Sequence, residues 1–140
     1  MKQFLVLAAV LPLMLVFLVQ FSLDQINSSR IALLSDCVYT AKEEARQEGC
    51  FTEAILSELR GDISRALNVD PALIEIEADR DVKYRLREKP AGGWERGLIH
   101  YKVSVPVGQV MAGGRMFGIR DRDNRYVYTI ENWAASERLP

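Results

Sequence analysis

The chain has 140 residues, a length that suits a single domain, and 49% of its residues are hydrophobic. Its 18 Lys and Arg residues are balanced by 19 Asp and Glu residues, which leaves a net charge of −1. Nucleic-acid binding relies on an excess of positive charge, so we expect no nucleic-acid partner. One histidine and two cysteines provide none of the usual zinc spacings, and we expect neither a metal site nor a cofactor.

The N-terminal segment, residues 1–23, is the most apolar part of the chain. Residues 4–19 carry no charged or hydrogen-bonding side chain, and the first acidic residue is Asp24. Twenty helical residues are about 30 Å long, the thickness of a hydrocarbon core, so this segment predicts a membrane-spanning helix with a kink at its proline. The residues expected to contact lipid or neighbouring helices are Phe4, Leu5, Ala8, Ala9, Pro12, Leu15, Phe17 and Phe21.

A cleaved secretory signal peptide is the alternative interpretation, because Lys2 precedes the apolar run. The run is longer than a typical signal core, and residues 20–24 offer no small-residue cleavage site, so we favour a retained helix. Flanking charges determine the orientation poorly. We expect the following domain to lie outside the cell.

Residues 24–48 contain neither proline nor glycine, and apolar residues recur there at steps of three and four. This pattern predicts an amphipathic helix that continues the membrane segment as one long spine and stops at Gly49. Thr52 is a suitable N-cap for a second helix, predicted over 51–68.

Two stretches alternate apolar and charged residues, 74–78 and 82–86, and they predict an antiparallel hairpin around a short loop. The resulting solvent face pairs four charged residues across the strands, Glu77 with Lys83 and Glu75 with Arg85. We interpret this face mainly as a solvated one whose charge pairs fix the register, and a charged docking face for a partner is the functional alternative.

A third strand is predicted over 98–105 with Ile99, Tyr101, Val103 and Val105 on one face, and Pro106 is expected to end it or to lie at an edge. The glycine-rich stretch 108–118 reads as a packed loop, and a fourth strand is predicted over 125–133. The predicted fold is α+β: two helices packed on a four-stranded antiparallel sheet spanning 72–133, in a single domain over 24–140.

The sequence offers no catalytic constellation. His100, the single imidazole, is predicted on the outer face of a strand beside Lys102, where it has no evident nucleophile to activate. Residues 121–132 resemble a calcium loop only briefly, because Tyr126 takes the position that requires glycine. We therefore expect no enzyme activity and no small-molecule substrate, with a membrane-anchored enzyme or ligand-binding module as the least favoured alternative.

Cys37 and Cys50 leave three possibilities open. If the helix reaches residue 48, the two residues are near 20 Å apart by the helical rise, well beyond disulfide distance. Two free cysteines are then expected. An early helix break would allow an intrachain bond, and a bond between neighbouring subunits is the third alternative.

An apolar helix that continues into an amphipathic spine, followed by a small antiparallel sheet, resembles the plan of type IV pilin-like subunits. Among these the chain is most similar to TadE-like minor pilins and pseudopilins of tight-adherence pilus systems, with Asn68-Val69-Asp70-Pro71 matching a turn before the sheet. The chain departs from many type IV pilins in having Leu5 where they have glutamate, and Met1-Lys2-Gln3 shows no prepilin-peptidase site.

The resemblance implies a structural subunit of an extracellular or cell-surface filament. Such a subunit is held in the membrane by one helix before assembly, and it then polymerises through that helix with itself or with other pilin-like subunits. A monomeric, membrane-tethered assembly component of a pilus or secretion system is the alternative.

Overall fold

The computed structural model describes residues 1–86 and 93–140, and these form an α+β fold of two long helices and an antiparallel sheet. Its main elements, in chain order, are α1 (Lys2–Glu48), α2 (Glu53–Leu67), β1 (Glu75–Ala78), β2 (Leu98–Gln109) and β3 (Arg125–Ala135). Short 3-10 helices lie at Pro71–Leu73, Trp94–Gly97 and Gly114–Phe117.

Helix α1 runs without interruption through Pro12 and ends at Glu48, so the predicted continuous spine is confirmed. Gly49 ends it in the left-handed conformation, with a φ of 86° and its N–H donating to the Ala45 carbonyl at 2.8 Å. A glycine adopts this conformation without the penalty that a Cβ imposes. The helix therefore stops where the sequence predicts.

The second helix is also confirmed. The Thr52 hydroxyl accepts a hydrogen bond from the Ile55 N–H at 3.3 Å, which satisfies one of the free donors of the first turn. Asn68 ends the helix in the left-handed region. The buried residues of α2 recur at four-residue steps and pack on the upper half of α1: Ile55, Leu59, Ile63 and Leu67.

The sheet has the order β1-β2-β3, with both pairs antiparallel. Strand β2 is central, and Ile76 and Ile130 lie opposite its Val103 on the two sides. Alternate residues of β2 are buried against the helices: Ile99, Tyr101, Val103, Val105 and Val107. The predicted third and fourth strands are thereby confirmed as β2 and β3, each somewhat longer than expected.

The predicted hairpin between 74–78 and 82–86 is wrong. Strand β1 pairs with β2, and 82–86 carry no strand, so the described residues form a three-stranded sheet and not a four-stranded one. The backbone N–H of Lys83 donates to the Gly49 carbonyl at 2.9 Å, and that of Arg85 donates to the Arg138 carbonyl at 2.8 Å. The backbone N–H groups of Lys83 and Arg85 therefore bond to residues at the end of α1 and to the C-terminal tail, and not to β1. Strand β1 pairs instead with β2, which is a longer strand with a larger apolar face.

Strand β2 continues past Pro106 to Gln109, with a register shift against β3 between Pro106 and Gly108. In the described part of the chain β1 covers only residues 101–104 of β2, so Pro106 has no neighbour on that side. Proline is tolerated at such an edge because no ladder donor is required there. The predicted packed loop accordingly begins two residues later than expected.

The C-terminal residues fasten the upper end of the spine. The Glu137 N–H donates to the Arg46 carbonyl at 2.9 Å, and Arg138 Nη1 donates to the Glu48 carbonyl at 2.8 Å. These carbonyls belong to the last turn of α1, which has no intrahelical partners for them. Tail and helix end therefore form one unit at the end of the domain farthest from residues 1–23.

Candidate polymerisation and membrane surface

The lower half of α1 is an exposed apolar rod. None of residues 1–23 is buried, and large side chains such as Phe4, Phe17 and Phe21 are 73%, 75% and 64% exposed. Within the described residues α1 is the one helix long and apolar enough to cross a membrane, and its most apolar 18-residue stretch has a mean hydropathy of 2.7. Every predicted residue of this surface, from Phe4 to Phe21, lies on the rod.

A surface of this kind is not stable in water. Soluble monomers rarely expose contiguous apolar patches larger than a few hundred Å². The chain's own domain does not cover the rod, because it begins burying residues of α1 only at Leu34.

Pro12 gives the rod a local feature suited to helix packing. Its missing N–H leaves the carbonyl of Ala8, four residues earlier, without its helical donor. Ala8 and Ala9 are small and exposed there, so another helix can approach closely. The neighbourhood of Ala8 is thus the part of the rod best suited to a close interhelical contact.

Above the rod, three polar side chains of α1 hold the end of β2 and the loop that follows it. We call Gln20, Asn27 and Arg30 the polar seam. Gln20 Nε2 donates to the Val110 carbonyl at 3.0 Å and its Oε1 accepts from the Ala112 N–H at 3.1 Å. Asn27 Nδ2 donates to the Gln109 carbonyl at 2.9 Å, and Arg30 Nη1 to the Val107 carbonyl at 2.5 Å.

Sequence reasoning missed the polar seam, because it considered residues 24–48 only for the recurrence of apolar residues and residues 1–23 only as a membrane segment. The available signal was the spacing of the three residues at i, i+7 and i+10, which places them on one helix face. The seam residues bond to backbone carbonyls and a backbone N–H. No side-chain pattern in β2 or in the loop could therefore have predicted these partners.

Gly108 allows the sheet to approach the seam closely. A Cβ built on Gly108 would lie 2.5 Å from Asn27 Oδ1 and 3.3 Å from Arg30 Nη1. Asn27 Oδ1 is buried at this contact and has no hydrogen-bond partner within the described residues. The tight contact therefore depends on the missing side chain.

The loop between β2 and β3 is built around one buried amide. Asn124 is 5% exposed, and its side chain both accepts from the Met111 N–H and donates to the Met111 carbonyl, each at 2.8 Å. Its own carbonyl accepts from the Val110 N–H at 2.9 Å. The loop presents three exposed apolar side chains, which we call the apolar loop tip: Val110, Met116 and Phe117.

The structure does not bring the four residues of the predicted docking face together. Glu75 and Glu77 are exposed on the outer face of the sheet, opposite Ser104 and Lys102 of β2. Lys83 Nζ instead lies 2.7 Å from Asp79 and donates to the Leu98 carbonyl at 2.6 Å. The charged face thus consists of two glutamates and their β2 neighbours.

The part-buried carboxylate of Asp79 is the centre of a small hydrogen-bond network. It accepts hydrogen bonds from Lys83 Nζ and from the His100 N–H at 3.0 Å. Partial burial raises the pKa of this carboxyl, but the two hydrogen bonds and the nearby positive charge of Lys83 outweigh it and hold the pKa below its usual value. Asp79 therefore joins β2 to the segment that follows β1.

His100 lies on the outer face of β2, as predicted, with Nε2 at 2.8 Å from Glu131 and its ring 4.5 Å from that of Trp133.

In the described ranges no group of three or more His, Cys, Asp or Glu residues is placed to hold a metal ion. A shallow cleft of ≈ 600 Å³ at the base of the domain, lined by Leu23, Asn27 and Val69 among others, contains no nucleophile paired with a base.

Cys37 and Cys50 are both free in the structure, with Cys50 buried and Cys37 half-buried on the helix. The intrachain alternative required an early helix break, and α1 continues to Glu48. Burial raises the pKa of the Cys37 thiol, and the carboxylates of Asp62 and Asp36 raise it further. A raised pKa disfavours the thiolate that disulfide formation requires.

Comparison of the chain with protein-family models, with curated proteins and with solved structures finds no match. The class of the protein is therefore defined by its own architecture: an α+β domain carried on a single helix whose lower half is apolar and exposed.

Proposed function

We propose that the protein is a pilin-like structural subunit that is held in a membrane by the lower half of α1 and polymerises through that same helix into a cell-surface filament. The observation that carries the proposal is the continuity of α1. One helix of 47 residues supplies both the exposed apolar rod and the spine on which the domain packs.

The physical basis is that lipid and a core of packed helices offer the rod equivalent surroundings. Both are anhydrous, and a helix satisfies its backbone hydrogen bonds internally in either. Transfer from bilayer to filament core then requires no refolding of the domain, whose buried residues begin at Leu34.

Close packing of copies is supported by Ala8 and Ala9 beside the open carbonyl that Pro12 creates. The polar residues on the outer face of the sheet are consistent with a structural role. The sheet's outer face carries Glu75, Glu77 and His100 as solvated or cross-strand-paired groups, available for contacts between neighbouring subunits.

The proposal is tested by negative-stain microscopy of material sheared from cells that produce the protein. The wild-type chain is expected to form filaments. A double variant, Ala8→Phe and Ala9→Phe, keeps the helix apolar and able to insert but prevents close helix approach, and we expect it to stay in the membrane without filaments.

The matched control is Val6→Phe and Leu7→Phe, which places the same two aromatic side chains at neighbouring residues that are already large and 62% and 55% exposed. It is expected to retain filaments. Wild-type protein found only in washed membranes would overturn polymerisation and would favour the alternative, a monomeric membrane-tethered assembly component. Reproducible enzymatic turnover that a point change in the sheet abolishes would contradict both.

A further inference from the structure

The loop that carries the apolar loop tip is hydrogen-bonded to the upper end of the apolar rod through its residues Val110 and Ala112. Gln20 follows directly on the run of residues 4–19 and bonds to the loop backbone at Val110 and at Ala112. Between Phe4 and Gln20 the helix rises about 24 Å, less than the roughly 30 Å of a hydrocarbon core. When the rod spans a bilayer, Gln20 and the loop bonded to it therefore lie at the lipid boundary.

The conformation of the loop keeps its large apolar side chains exposed to solvent. Met116 and Phe117 are 89% and 66% exposed, on a 3-10 turn whose Gly114 packs against the buried Asn124. The Ile119 N–H closes the turn on the Gly114 carbonyl at 2.9 Å. A turn fixed in this way can present a large apolar pair without further ordering on contact.

The charges around the tip favour a bilayer surface. Residues 110–125 contain four arginines and two aspartates, a net charge of +2 in a chain whose total is −1. Arg120 and Arg122 are 70% and 71% exposed, and their nearest carboxylate, Asp123, lies 3.8 and 4.0 Å away. Exposed basic side chains beside apolar ones are the pattern that binds anionic lipid interfaces.

We infer that the apolar loop tip is a second membrane contact, which inserts Met116 and Phe117 into the interfacial region of an anionic bilayer while α1 spans it. The contact fixes the tilt of the domain on the membrane, because a second point beside the helix must also lie at the interface. The inference rests on the membrane-held state of the proposed function and not on polymerisation.

The test uses the full chain in phosphatidylcholine vesicles with a minority of phosphatidylglycerol, in which the acyl chains of one lipid are brominated near the headgroup. Three variants each add one tryptophan: Phe117→Trp at the tip, Leu139→Trp at the opposite end of the domain, and Leu15→Trp in the rod. Wild-type emission from Trp94 and Trp133 is measured in parallel and subtracted. Leu139 matches Phe117 in exposure, 61% against 66%.

We expect tryptophan at 117 to be quenched at least about twofold more than tryptophan at 139, because interfacial side chains lie about 5–10 Å into the headgroup and acyl boundary. Tryptophan at 15 is expected to be quenched most by bromines placed deeper in the chains. Equal quenching at 117 and 139, with strong quenching at 15, overturns the inference alone. No quenching at 15 overturns the membrane-held state and the inference together. If the tryptophan at 117 were shielded from solvent in filaments but not quenched in vesicles, the tip would contact a neighbouring subunit. That result would also overturn the inference.

Discussion

Two glycines show how differently single positions are constrained. Gly49 has a φ of 86°, and a Cβ there would lie 2.5 Å from the Lys83 carbonyl oxygen, whereas a Cβ on Gly61 would meet nothing within 4 Å. We expect Gly49→Ala to lower the free energy of unfolding by about 1–2 kcal/mol from the left-handed conformation alone. Gly61→Ala, inside α2, is expected to raise it by about 0.5–1 kcal/mol.

Both changes are measured by urea unfolding of the full chain in detergent micelles, followed by circular dichroism. Opposite signs at the two positions are the expected result. A neutral Gly49→Ala would mean that α1 does not end on a left-handed residue at position 49.

Asp79 gives the domain a dependence on pH. Its pKa is lowered in the folded state, so its contribution to stability is present above the pKa of an unfolded aspartate, about 3.9, and is lost as the pH falls through the folded pKa. We expect Asp79→Asn to destabilise the domain at neutral pH by about 0.5–1 kcal/mol, the range for partly exposed ion pairs. The difference from wild type should shrink below about pH 4.

Unfolding curves at a series of pH values provide the measurement for Asp79. Asp123→Asn is the control, because that carboxylate is 60% exposed and 3.8 Å from its nearest arginine. A constant difference between Asp79→Asn and wild type across the whole pH range would contradict the proposed charge network.

At the level of elements, the polar seam determines how firmly the loop between β2 and β3 is held on α1. Gln20→Ala removes two hydrogen bonds, to the Val110 carbonyl and from the Ala112 N–H. One such bond contributes about 1 kcal/mol, so losing the bond from the Ala112 N–H should accelerate hydrogen exchange at that amide by about fivefold.

The comparison for this change is Gln25→Ala, at an exposed position of the same helix. Exchange in the loop is expected to be unchanged in that variant. If both variants leave Ala112 equally protected, the seam does not hold the loop.

At the scale of the whole molecule, we expect the folded domain to be independent of the apolar rod. No residue among 1–23 is buried, and the core begins at Leu34. A variant lacking residues 1–23 is therefore expected to stay folded and monomeric in detergent-free buffer, with a Tm within a few degrees of the full chain. It loses the Gln20 contacts to the loop and the Leu23 side chain that lines the cleft at the base of the domain.

Thermal unfolding and light scattering check the truncated variant. Filaments formed by it would refute assembly through the rod. An unfolded product would show that the lower half of α1 contributes to the domain.

The sequence by itself determined the elements whose signals are local. The uninterrupted run to Glu48, the N-cap Thr52 and the alternation from Ile99 to Val105 each depend on neighbours within a few residues, and each is confirmed in the structure. The exposed apolar rod follows from the composition of residues 4–19 in the same way. No partner distant in the chain is needed to specify any of them.

Only the tertiary structure decided what pairs with what. Strand β1 could satisfy its alternation with residues 82–86 or with β2, and local pattern favoured the nearer segment, which is wrong. Cross-strand charge pairs stabilise too little to override a longer apolar partner. The polar seam was likewise settled by contacts between residues more than 70 positions apart, through backbone groups that every sequence carries alike.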